Sequence, residues 1–101
     1  MNNDLVCMTV VGSRKKKIAL LDALTERGAK LINVEFGLGS ARVSSYIEVF
    51  GFDPEDKKVI LICLMRRENA EKMFDVLYKE FHFDEPNTGI AFTLPLDKLV
   101  F

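Results

Sequence analysis

Asn87, Thr88 and Gly89 bring together an amide, a hydroxyl and a backbone bare of side chain. Successive N–H groups in such a turn make a concavity that accepts an anion, so the chemistry within reach is phosphate binding rather than bond breaking. Gly89 has an equally good structural use, in a turn that takes positive φ or where another group approaches the backbone closely. Gly37, Leu38, Gly39 and Ser40 form a second glycine-bearing stretch, which could line a ligand or kink a strand. Arg66 and Arg67 end an apolar run, where they could reach a phosphate or another subunit's carboxylate, and Arg42 is a comparable cation. Arg14, Lys15, Lys16 and Lys17 fall in the first turn of a helix, where the dipole disfavours cations, and read as a solvated helix start. No aromatic residues are interleaved with this run, so it does not suggest nucleic acid.

Other reactive groups are few. His82 is the single histidine, with Asp84 and Glu85 as sequence neighbours, and its place at a helix end suits capping and the dipole. Cys7 and Cys63 lie in apolar runs without CxxC spacing, which reads as two buried free thiols in a reducing cytosol. A zinc site within one chain is not expected. Nucleophile, base and orienting group are not recognisable together, so an enzyme is not expected.

The scaffold for these groups is small. The 101 residues, 49% hydrophobic and 29% charged, make one domain spanning residues 1–101. A net charge of −1 gives no global field for nucleic acid or an anionic membrane. Apolar runs fall well short of the roughly 20 residues of a membrane helix. The acidic Met-Asn-Asn-Asp start does not resemble a secretory signal, so a cytoplasmic location is expected.

Leu5 to Val11 is a continuous apolar run of strand length. Ser13 is placed to cap a following helix and Gly28 to end it, with Leu20, Leu21 and Leu24, flanked by Ile18, as its apolar stripe. Leu31 to Phe36 reads as a second strand. Val43 to Phe50 is again strand-like, Asp53 to Asp56 has turn chemistry, and Lys58 to Met65 is a third strand, so residues 43–65 suggest a hairpin. Ala70, Met73, Phe74, Leu77 and Phe81 share one face of a second helix, which the Phe83 to Pro86 stretch terminates. Ile90 to Leu94 is the fourth strand, cut off by Pro95. The order β-α-β-β-α-β predicts an α+β, ferredoxin-like antiparallel sheet with both helices on one face and strands one and three central. Leu5, Cys7 and Thr9 are nearly as apolar as Val6, Met8 and Val10, so the helix-free face calls for a partner, and an oligomer is expected.

With this order, the Gly37-Leu-Gly39 interruption and the end Thr88-Gly-Ile-Ala-Phe-Thr-Leu-Pro-Leu-Asp-Lys-Leu-Val100, the chain resembles the PII nitrogen regulatory signal-transduction proteins, and their PII-like relatives more closely. The resemblance implies a homotrimer that binds adenine nucleotides (ATP, ADP, AMP or a cyclic nucleotide) in clefts between subunits. It also implies regulation of a protein partner, a transporter or an enzyme, through the segment joining strands two and three. Carried over by position, Asn87, Thr88 and Gly89 are the phosphate loop, and Gly37, Leu38, Gly39 and Ser40 the base of the signalling loop; Arg66, from its own place at a strand end rather than from the resemblance, is a further candidate ligand contact. The loop covers residues 41–57, and Arg42, Tyr46, Phe50 and Phe52 are its candidate partner-binding residues. The chain departs from typical members at Ile90, where they have lysine, and at Ser40 and Ala41, where they have arginine and glutamine. Their basic C-terminal segment is replaced by an end at Phe101, with Lys98 as the nearby cation. Two other outcomes are compatible with the pattern. One is a ligand-free structural trimer with residues 43–57 as a stable hairpin arm. The other is a CutA-like metal-binding trimer in which His82, Cys7 or Cys63 and carboxylates meet across subunits.

Overall fold

Alternation along a strand sends successive side chains to opposite faces, and the first strand shows what each face is for. In the computed structural model, which describes residues 4–36, 57–86 and 88–98, β1 spans Leu5–Ser13. Its Val6, Met8 and Val10 enter the main core, while Leu5, Cys7, Thr9 and Val11 point the other way. The remaining strands are β2 (Lys30–Phe36), β3 (Lys58–Arg66) and β4 (Gly89–Pro95). The sheet order is β2-β3-β1-β4, with every neighbouring pair antiparallel, so strands one and three are central as the ferredoxin-like arrangement requires. Pro95 is the last residue of an edge strand, a place where its missing N–H costs no ladder bond.

Two helices cover one face: α1 (Lys17–Glu26) through Leu20, Ala23 and Leu24, and α2 (Arg67–Glu80) through Ala70, Met73, Val76 and Leu77. Val76 takes the buried place, while Phe74 and Phe81 are only partly buried, and Ile18 turns outward at 62% exposure. Ser13 does cap, but it caps a 3-10 turn, Arg14–Lys16, and its Oγ accepts from Lys15 N at 3.3 Å. The α-helix begins after this turn. At the other end Gly28 (φ +81) closes α1, with Ala29 N–H donating to Leu24 O and Gly28 N–H to Thr25 O, both at 3.0 Å. This is the paired-bond Schellman termination. In β2 the register shifts between Lys30 and Asn33, and Leu31 sits at φ 52, so a bulge stands where the sequence suggests a plain strand start.

The second face is apolar in three rows running across the sheet: Leu94–Cys7–Leu64, Phe92–Thr9–Ile62 and Ile90–Val11–Ile60. Val11 and Ile60 are fully buried, most of the others are half-buried, and Leu94 is 56% exposed. No helix among the described residues is long and apolar enough to cross a membrane. The expected strand over 43–50, the first arm of the 43–65 hairpin and Arg42, Tyr46, Phe50 and Phe52 lie outside the described residues; the strand expected over Lys58 to Met65 is β3.

Candidate functional site

Strand register determines which loops meet. Phe36 pairs with Val59, Val59 with Gly12, and Gly12 with Gly89, so these four residues form one row across the end of the sheet. The chain leaves β2 toward Gly37 at one side of this row and enters β4 from Thr88 at the other. Gly37, Leu38, Gly39, Ser40 and Asn87 lie outside the described residues, but both candidate ligand stretches attach to this one end.

Gly89 does not take positive φ. Its role is close approach: a methyl built on it would stand 2.6 Å from Phe83 Cε1 and 2.6 Å from the carbonyl oxygen of Val11. The same ring reaches Gly12, where a methyl would lie 3.6 Å from Phe83 Cζ and 3.1 Å from Leu20 Cδ1. A pair of facing glycines thus makes a seat for Phe83. The loop that carries the ring is held by its own backbone. His82 adopts φ 60, and its carbonyl accepts from Glu85 N at 2.9 Å, while Phe83 N–H donates to Leu77 O at 3.0 Å. Thr88 Oγ1 lies 2.7 Å from His82 O and 2.9 Å from Glu85 O, so its one hydroxyl proton is shared between two carbonyls. Ile90, at the position where a lysine would be expected, packs half-buried against the Val11–Ile60 pair.

The cations at this end come from elsewhere. Arg14 N–H donates to Lys57 O at 3.0 Å, which joins the basic run to the start of β3. The Arg14 guanidinium lies 5.0 Å and the Lys17 ammonium 5.2 Å from the centre of the Phe36 ring. Such contacts contribute about 0.5–1 kcal/mol each at exposed sites. Arg14 Nε is buried and finds no hydrogen-bond partner among the described residues. Arg14, Lys15, Lys16, Lys17 and Lys57 therefore surround the end to which both glycine stretches attach. Read locally, the run is a solvated helix start. The missed signal is topological, because antiparallel pairing of strands one and three sets the end of one beside the beginning of the other.

Arg66 is far from this group. It pairs with Leu5 at the opposite end of the sheet, and Val59 to Arg66 is roughly 23 Å of extended strand. There its Nε lies 3.7 Å from a Glu68 carboxylate oxygen, both side chains exposed. Within one chain Arg66 and Gly89 are not brought together. No three of His, Cys, Asp and Glu gather into a metal-binding group among the described residues. Cys7 and Cys63 point to opposite faces, Cys63 into the core beside Met8. The Cys63 thiol donates to Met8 O at 3.8 Å; burial first, then the nearby Cys7, pushes its pKa up to about 11.

On the helix side of the same end, between the 3-10 turn and the 81–88 loop, is an open cavity of about 290 Å³. Leu20, Phe81 and Phe83 line its apolar part, and Lys16, Glu85 and Thr88 are among its polar groups.

No protein-family model matches the chain, and no curated protein matches it in sequence. Solved structures match its fold. The apo form of CPII from Thiomonas intermedia K12, a nitrogen regulatory PII-like protein, superposes with a TM-score of 0.69 at 15% identity over 91% of this chain and 88% of that one. CPII from the same organism bound to ADP, AMP and acetate gives 0.65 at 18% identity, covering 88% and 82%. A PII-like signalling protein from Thermus thermophilus gives 0.65 at 20% identity, covering 91% and 85%. The chain is similar to these proteins in fold.

Proposed function

We propose, from this PII-like fold, that the protein is a regulatory homotrimer that binds an adenine nucleotide in clefts between subunits. The segment from 41 to 57 carries the signal to a protein partner, a transporter or an enzyme. The observation that carries the proposal is the row Phe36–Val59–Gly12–Gly89, which attaches the Gly37–Ser40 and Asn87–Gly89 stretches to one end of the sheet. The similarly folded CPII has been solved with ADP and AMP. Arg14, Lys17 and Lys57 supply positive charge at this end, where position 90 is Ile rather than lysine, and Arg14 Nε, without a hydrogen-bond partner among the described residues, is a donor suited to an anion.

The apolar rows of the second sheet face support the trimer, since half-buried apolar residues such as Ile62 and Ile90 beside the exposed Leu94 would be covered more fully by association. In the trimer Arg66 would meet a ligand held mainly by a neighbouring subunit, and Arg42, Tyr46, Phe50 and Phe52 would face the partner. Two free thiols suit a reducing, cytoplasmic location. Binding would favour whichever conformer of the 41–57 segment holds nucleotide more tightly. The role is regulatory rather than catalytic.

Hydrogen exchange with and without ADP tests the switch. The expected result is rapid exchange over 41–57 in the free protein, slowed by ADP, with added protection at Phe36 and Gly89. Strong protection of 41–57 without ligand, unchanged by ADP, would instead identify a structural trimer with a fixed arm.

A further inference from the structure

The helix-side cavity adjoins the cleft just described and shares Thr88 with it, but lies on a different side of the sheet. It opens beside α1 and the 81–88 loop, whereas the apolar rows assigned to subunit association lie on the other sheet face. At about 290 Å³ it falls at the lower edge of the ~300–1,000 Å³ range of ligand pockets, so it suits a small metabolite rather than a nucleotide. Its floor is apolar: Leu20 is fully buried, and Phe81 and Phe83 are half-buried rings.

Its hydroxyls are partly engaged. Thr88 shares its proton between the His82 and Glu85 carbonyls, and Ser13 Oγ accepts from Lys15 N. The stronger contacts open to a ligand are those of charged groups. Beside the His82 imidazole, the lining includes one ammonium, Lys16, and one carboxylate, Glu85, both exposed and neither in an ion pair among the described residues. A phosphate or other simple anion would meet Lys16 but be repelled by Glu85, and a simple cation would meet the reverse. A zwitterion satisfies both, and an apolar side chain on it covers the floor.

We infer that this cavity binds a free α-amino acid with an apolar side chain, its carboxylate at Lys16, its ammonium at Glu85 and its side chain against Leu20, Phe81 and Phe83. Its occupant touches the ring that rests on Gly89, the first residue of β4.

Amide NMR of the full chain tests the inference with L-leucine and L-phenylalanine as probes. Leucinamide serves as the analogue without a carboxylate and 4-methylpentanoate as the one without an amine. The expected result is saturable shifts centred on Lys16, Leu20 and residues 81–85, with each analogue bound about two- to fivefold more weakly than leucine, the loss expected for one exposed charge pair. K16Q should abolish the preference for leucine over leucinamide, and E85Q the preference over 4-methylpentanoate. Both side chains are exposed, so the variants should melt as the parent does, and a melting scan checks this. Absence of saturable shifts to about 20 mM, the weak end of metabolite affinities, would overturn the site. Equal binding of 4-methylpentanoate and leucine, or unchanged preferences in K16Q and E85Q, would overturn the zwitterion assignment.

Discussion

The Phe83 ring occupies the space where a side chain at residue 89 would begin: a methyl there would stand 2.6 Å from Phe83 Cε1. The glycine at the head of β4 is therefore fixed by packing, whatever the turn before it binds. Because the Val11 carbonyl is equally close, the strain of an added methyl falls on backbone as well as on the ring.

G89A should lower stability by about 1–3 kcal/mol, the usual cost of overpacking. F83L in the same chain should reduce that penalty without removing it, since Val11 O stays in place. Urea denaturation of the two single variants and the double gives the coupling. Strict additivity would contradict the seat that the glycine provides.

Two left-handed backbone positions predict effects of opposite sign. Gly28, at φ +81, closes α1, so G28A should cost about 1 kcal/mol. His82 holds φ 60 without being glycine, so H82G should be more stable than H82A by about 1 kcal/mol. Thermal melts of the three variants decide both signs.

Much of this fold is legible in the sequence because periodicity reports burial directly. The Val6, Met8, Val10 alternation and the Ala70, Met73, Leu77 spacing correspond to the observed core. Ser13 and Gly28 are readable as helix boundaries because capping is local, although the 3-10 turn between Ser13 and α1 is not. Gly89 is recognisable as special, but the two uses of a bare backbone look alike until Phe83 is placed. The grouping of Arg14 and Lys17 around Phe36 depends on strand register, which joins residues distant in sequence. Arg66 looks equivalent to the other cations because a sequence does not show which end of the sheet a strand terminus occupies.

Cys63 predicts an alkaline loss of stability. Its thiol pKa is raised from 9.0 to about 11, by burial first and Cys7 second, so the folded state disfavours the thiolate. An unfolded thiol ionises near its ordinary value. The stabilisation is therefore complete below about pH 9 and falls as the pH rises from 9 to about 11. Urea midpoints measured across that window should fall less steeply in C63A than in the parent. Cys63 should also resist iodoacetamide in the folded protein at about pH 8.

The apolar second face predicts an oligomer that charge can dissolve. Ile62 and Leu94 lie on that face away from the helix-covered core, Leu94 at 56% exposure. I62E and L94E together should convert a three-chain species to single chains in sedimentation velocity, with far-UV circular dichroism preserved. An unchanged sedimentation coefficient would remove this face from the interface.

Nucleotide binding places an anionic ligand at the end of the sheet where Phe36 and Gly89 share a row. Titration calorimetry with ADP at low salt, where charge contacts are least screened, addresses it most directly. A saturable heat is predicted, with affinity reduced about tenfold or more when Arg14 and Lys17 are both replaced by glutamine, the loss of charge-assisted contacts. No heat with ADP, AMP or ATP, from a protein that is folded and assembled, would contradict nucleotide binding at this site.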